Sequence, residues 1–205
     1  MRALIFKVIF LFSMSSFSLG AVISDIDKTD IELSTRFDGT SLLVFGALSP
    51  ENDNTSLLVE VIGPSASVDI TKKVQIWGIW VNKKIAQFQD IPSFYKISIS
   101  NPEHPILKEI EYQKLKSIFY DFLETNSTPE DGNGVEQYYH ELTRLKKKLG
   151  KLSIFEEKIN IIDRKLFSYK VNLPKKIHPG IYKIKMILID QQGIELSKSE
   201  QSVKV

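Results

Sequence analysis

Between Asp30 and Ser100 the apolar positions follow a strand-like rhythm. Ile31, Leu33, Thr35 and Phe37 alternate with polar residues, and Asp38-Gly39 follows them. That pair suits a type I′ turn, whose two central residues need positive φ. The pattern therefore predicts a hairpin that turns at Asp38-Gly39 into a strand over Ser41 to Leu48. This second strand is apolar on both sides of the chain, and so are Leu57 to Ile62 and Ile76 to Val81. A strand with one wet face alternates, so three that do not predict cover on both faces.

The period changes in the middle of the chain. Asn101-Pro102-Glu103 has the form of an N-cap followed by proline at the first helical position. Leu107, Ile110, Leu115, Ile118, Phe119 and Phe122 then recur near helical spacing. A break from Thr128 to Gly134 separates them from a second stripe, Tyr138, Leu142, Leu145 and Leu149, which stops at Gly150. Two helices forming a hairpin over the strands would provide the missing cover, and neither is long enough to be stable alone in water.

Strand alternation returns after Gly150. Phe167, Tyr169, Val171 and Leu173 point one way, and Ile184, Met186 and Leu188 form a later inward set, with a turn at Gln192-Gly193. Between them, Pro179-Gly180-Ile181-Tyr182 places a tyrosine two residues after a turn. In immunoglobulin-like sandwiches such a tyrosine bonds back to the turn as a tyrosine corner. The fold expected is mainly β: an immunoglobulin-like β-sandwich with an inserted α-helical hairpin at about 101–150, in one domain over 21–205.

Residues 1–20 read separately. Arg2 and Lys7 precede or flank a short apolar run, Val8 to Phe12, and Ser18 and Gly20 are small. This is the build of a signal peptide cleaved after Gly20. The chain has 27 basic and 25 acidic side chains, and Arg2 and Lys7 leave with the leader, so the remainder is balanced. The pI of 8.6 is then no argument for nucleic acid, which requires a concentrated basic field. There is no cysteine, and the remaining 185 or so residues can bury a core without disulfides. An exported, periplasmic protein is expected.

Candidate chemistry is sparse. Asp25-Ile26-Asp27-Lys28-Thr29-Asp30 imitates the opening of a calcium loop, but Asp30 and Arg36 occupy the positions that need glycine and a bidentate glutamate. It is expected to be a solvated segment. His104, His140 and His178 have no second imidazole at helical spacing, and Pro-flanked turns (His104, His178) and a helix surface (His140) suit them. No Gly-x-Ser-x-Gly elbow or phosphate-binding loop occurs, and no catalytic residue, metal or cofactor is expected. Arg144, Lys146, Lys147, Lys148 and Lys151 crowd a helix C-terminus, where they complement the dipole or would meet anionic headgroups at a membrane surface. Trp77 and Trp80, read as one strand, fall on opposite faces. Core packing is the first expectation for both. The functional alternative has Trp80, with Asn82 and Trp77 nearby, lining a site for a ligand or partner.

Phe45-Gly46-Ala47, Val61-Ile62-Gly63-Pro64, Gly78-Ile79-Trp80-Val81-Asn82, Pro92-Ser93-Phe94-Tyr95 and Pro179-Gly180-Ile181-Tyr182 occur in this order. Together they make a chain that resembles an alphaproteobacterial family of predicted transmembrane proteins with an exported β-rich domain. The resemblance implies a signal peptide, an exported domain and a C-terminal transmembrane helix, whereas this chain reaches Val205 without an apolar helix. It implies no reaction, and it implies a membrane-protein partner, with a sulfite-exporter-type permease as a candidate. The expected function is a non-enzymatic exported binding or accessory module beside an inner-membrane protein. The alternatives are a periplasmic hydrolase using paired carboxylates and a glycan-binding domain using Trp80.

Overall fold

A computed structural model of the chain describes residues 21–49, 54–115 and 135–205. The proposed leader, the Thr128 to Gly134 break, and Ile118, Phe119 and Phe122 lie outside the described residues. The first strands are β1 (Ala21–Ile26), β2 (Thr40–Ser49), β3 (Ser56–Ile62), β4 (Ser65–Ile76), β5 (Ile79–Pro92) and β6 (Tyr95–Ile99). Helices α1 (Leu107–Leu115) and α2 (Val135–Lys148) follow. The chain then forms β7 (Leu152–Ile154), β8 (Asn160–Ile162), β9 (Leu166–Leu173), β10 (Ile181–Ile189) and β11 (Glu195–Lys204). The fold is mainly β.

Four strands form one sheet in the order β1-β2-β9-β8, and five form another in the order β11-β10-β3-β6-β7. Neighbours are antiparallel except β6 and β7. The two sheets share a core: Leu42, Val44, Tyr169 and Val171 from the first sheet, and Val59, Val61, Ile184 and Met186 from the second. Each such aliphatic or sulfur side chain contributes about 1.5–3 kcal/mol relative to exposure. On one side the sheets are joined by a seam of polar bonds between β1 and β11. Ser24 Oγ lies 2.7 Å from Ser199 Oγ, the Val22 N–H donates to Ser197 Oγ, and Gln201 Nε2 donates to the Ser24 carbonyl.

A second core lies against the other side of the five-stranded sheet. Leu58, Tyr95, Ile97 and Ile99 meet Ala86, Phe88 and Ile91 of β5 and Tyr138 and Leu142 of α2. Strand β3 is therefore covered on both faces, as its apolar run requires. Glu60, within that run, is buried and accepts a 2.7 Å hydrogen bond from the Tyr95 hydroxyl. Burial, reinforced by the Glu60 charge, raises the Tyr95 pKa far above that of an ordinary phenol, so the bond keeps its proton.

Several expectations hold in detail. Phe167, Tyr169, Val171 and Leu173 all point inward from β9, and the Tyr182 hydroxyl donates to the His178 carbonyl at 2.9 Å. Gly150 ends α2 at φ +67°, with the Lys151 N–H bonded to the Lys146 carbonyl and the Gly150 N–H to that of Lys147, a Schellman closure.

Others do not. Residues 31–39 are not a strand, and β2 pairs with β1 and β9. The Asp25–Asp30 string is solvated at every residue but Ile26, as expected, yet its first two residues belong to β1 and the Asp27 carboxylate accepts the Leu43 N–H at 2.8 Å. Strand β1 escaped notice because only Val22 and Ile26 turn fully inward, with Ser24 between them and Ile23 outside. Strand β2 exposes Leu43 and Phe45 on an outer face that no layer covers fully. Helix α1 begins at Leu107 and not near Asn101, since His104 precedes Pro105 and that position disfavours helical backbone. The Asn101 side chain instead accepts the Glu103 N–H in a turn.

Candidate functional site

Among the described residues, strands β4 and β5 pair only with each other. Their base is rooted in the second core through Ala86, Phe88 and Ile91, with Val68 and Ile70 partly buried against it. Beyond the base the hairpin continues as a bare two-stranded ribbon. Its register pairs Lys72 with Lys83, Lys73 with Asn82, Val74 with Val81, Gln75 with Trp80 and Ile76 with Ile79. Cross-strand partners share a face, and successive pairs alternate faces. Val74, Ile76, Ile79 and Val81 thus form one apolar face, closed off by the Lys72–Lys83 pair. Trp80 shares the opposite face with Gln75, Lys73 and Asn82.

Trp77 and Gly78 form the turn, at φ +51° and +80°. Positive φ at both central residues is the requirement of a type I′ turn, and Gly78 meets it without strain. Trp77 does not, because a bulky L residue in the left-handed region is an outlier. Trp77 is 97% exposed, and Ile79 and Trp80 are 67% and 65% exposed.

The expected strand over Ile76 to Val81, covered on both faces, is therefore corrected. Trp77 and Trp80 do not share a strand and neither is in a core. The signal that locates the turn is symmetry: Lys-Lys-Val-Gln-Ile before Trp77-Gly78 is mirrored by Ile-Trp-Val-Asn-Lys-Lys after it. A two-residue X-Gly centre within a mirrored apolar sequence is a hairpin signal that strand periodicity alone conceals.

The other candidate residues are dispersed. His104 is buried, with Nε2 3.0 Å from the Asp190 carbonyl, while His140 is exposed on α2 beside Tyr139. Among the described residues no group of three His, Asp or Glu side chains is placed to hold a metal ion. In the basic cluster at the end of α2, Lys146 turns inward and its Nζ donates to the Pro92 carbonyl at 2.6 Å. The inward stripe is Tyr138, Leu142 and Lys146, at strict i+4 spacing, whereas Leu145 and Leu149 stay half exposed. Lys146 therefore cannot face a bilayer. Burial, assisted by the Lys151 charge, lowers its pKa to about 8. Arg144 pairs with Glu141 at 2.7 Å and Lys147 with Glu156 at 3.4 Å.

A cleft of about 580 Å³ runs between the hairpin base and α2, lined by Val68, Ile70, Ile85, Tyr138 and Leu142, with Asp69 and Glu141 at its edges. Each of those carboxylates is neutralised by its own cation, Asp69 by Lys84 at 3.0 Å and Glu141 by Arg144. The tip of the hairpin is the stronger candidate.

Compared with known proteins, residues 21–205 match the family described as "Putative transmembrane protein" (Alph_Pro_TM). No curated protein and no solved structure matches the chain. Among the described residues no helix is long and apolar enough to cross a membrane.

Proposed function

The chain belongs to this family of transmembrane-type proteins, and from that premise we propose that it is an exported, non-enzymatic binding module acting beside an inner-membrane protein. In this reading an immunoglobulin-like β-sandwich carries the hairpin, and the hairpin reaches from it to the membrane system. The observation that supports it is the projecting tip, where Trp77, Ile79 and Trp80 are each about two-thirds exposed or more. Apolar side chains concentrated at one end of a ribbon are a mark of an interaction site. The back-bond from Tyr182 to the His178 carbonyl supports the sandwich class.

The test is in-cell photocrosslinking from the tip, with a photoreactive residue at Gln75. The expected product is one dominant membrane-protein adduct that survives a high-salt wash and is lost when Trp77 and Trp80 are both replaced by alanine. A permease of the sulfite-exporter type is the partner to probe first. Recovery of the protein as a lone soluble species without adduct overturns the proposal.

A further inference from the structure

The order of side chains along the hairpin tip is the order of chemistries across one half of a membrane interface. Outermost is the Trp77-Gly78 turn, then the Ile76–Ile79 and Val74–Val81 pairs on one face with Trp80 on the other. Next come Asn82 and four lysines, Lys72, Lys73, Lys83 and Lys84. The stretch 72–84 contains no acid. Asp69, nearer the base, pairs with Lys84, which leaves three cations ahead of it. Lys72 and Lys83 lie directly opposite each other, a placement that repels unless an anion lies between or beside them.

We propose that this tip is a bilayer-interface anchor whose ligand is anionic phospholipid, with Trp77 and the aliphatic face entering the headgroup and acyl boundary and the lysine collar meeting the phosphates. The inference deepens the membrane-side reading above and rests on it. Three observations favour lipid over a protein groove. Four residues on each strand separate the lysine pair from the turn, five residue steps or roughly 16 Å of strand, which is enough to traverse the headgroup layer and too short to cross a hydrocarbon core of about 30 Å. Apolar side chains form one face of the ribbon, Trp77 its end, and Trp80 stands on the otherwise polar second face, so the surface is a convex wedge. Tryptophan also prefers the headgroup level, and lysines near an anionic surface are attracted to it. The strain at Trp77 fits the same account, since asparagine would occupy that turn position more readily and would not enter lipid.

The chain contains two tryptophans, and both are at the tip, so its tryptophan emission reports on the tip alone. The purified protein is titrated with vesicles of mixed phosphatidylglycerol and phosphatidylcholine, and separately with phosphatidylcholine alone, reading emission and co-flotation. A blue shift and flotation with the anionic vesicles, weakened by salt, is the expected result. Replacing Lys72 or Lys83 by glutamine should weaken binding roughly fivefold per charge, the equivalent of about 1 kcal/mol each. Trp77→Asn should lose flotation while far-ultraviolet circular dichroism and the thermal transition show an intact fold. Absence of a blue shift with anionic vesicles, or wild-type flotation by Trp77→Asn, overturns the proposal. If the vesicles fail while the Gln75 crosslink to a membrane protein persists, the lipid assignment falls and the membrane-side function stands. If both fail, the function falls too.

Discussion

Strand β3 and the tip of the β4–β5 hairpin are written in nearly the same alphabet. Leu57-Leu58-Val59-Glu60-Val61-Ile62 and Ile76-Trp77-Gly78-Ile79-Trp80-Val81 are both short, apolar and free of alternation. In β3 every residue but Ile62 is buried, because β10 and β6 flank it and a core lies on each face. At the tip every residue is exposed. The difference is the company each keeps. An unbroken apolar run states that cover is needed, and the protein supplies that cover only where neighbouring strands and layers exist. Among the described residues the tip has only its own partner strand, and no second layer lies over it.

The comparison is broken most directly by making the same truncation in both places. Leu57→Ala should destabilise the protein by about 2–5 kcal/mol, through lost burial and a residual cavity. Ile79→Ala should change stability by less than about 0.5 kcal/mol. Denaturant unfolding of the two variants reads the difference directly, and a large loss from Ile79→Ala would show that the tip is packed after all.

A smaller effect is expected where two strands approach unusually closely. A Cβ on Gly46 would fall 2.0 Å from the Ile23 carbonyl and 2.8 Å from the Ser24 Cα, so Gly46→Ala must push β1 off the sheet. A loss of about 1–3 kcal/mol is expected, with amide exchange speeding first in β1 and at its seam with β11.

The second core carries a cation, and this sharpens the contrast with the freely hydrated lysines of the tip. With its pKa lowered to about 8 from 10.5, Lys146 binds fewer protons folded than unfolded between those values. Stability should therefore rise with pH across that window, the penalty being fullest below about pH 8. Lys146→Met should flatten this rise relative to the native protein, as read by urea midpoints from pH 7 to 10.5.

The smallest expected effect has the opposite sign. Trp77→Asn relieves an L residue held at φ +51° and should raise stability by about 1 kcal/mol, seen as a higher thermal midpoint. A gain in stability together with a loss of vesicle binding would separate what the turn needs from what the tip does.

How much of this was legible in the sequence follows from the same physics. Strand β9 was readable residue by residue because it has one wet face and one dry face and so alternates strictly, and β10 alternates likewise as far as Leu188. The Tyr182 back-bond was readable because the turn and the hydroxyl are close in sequence. Strand β1 was not, since its inward positions include Ser24, which is satisfied by Ser199 from the far end of the chain. Nor was the inward turn of Lys146, whose long stem packs while its ammonium finds the Pro92 carbonyl. The candidate residues were placed wrongly as structure. Trp77, Trp80 and Asn82 were expected on one covered strand, but the Trp77-Gly78 pair reverses the chain between the two tryptophans.

The seam between β1 and β11 also sets the order in which the molecule can be finished. Its bonds join residues 175 and 177 positions apart, so they cannot close until the last strand has been delivered. Contacts of such separation form late, because the intervening loop must be closed first. Until then β1 has β2 on one side and an open edge on the other, the kind of edge that recruits foreign strands. A chain lacking residues 195–205 should therefore scatter light on refolding where the complete chain stays clear. The last strand works as a clasp, and a chain made or exported N-terminus first stays vulnerable along its oldest strand until its newest one arrives.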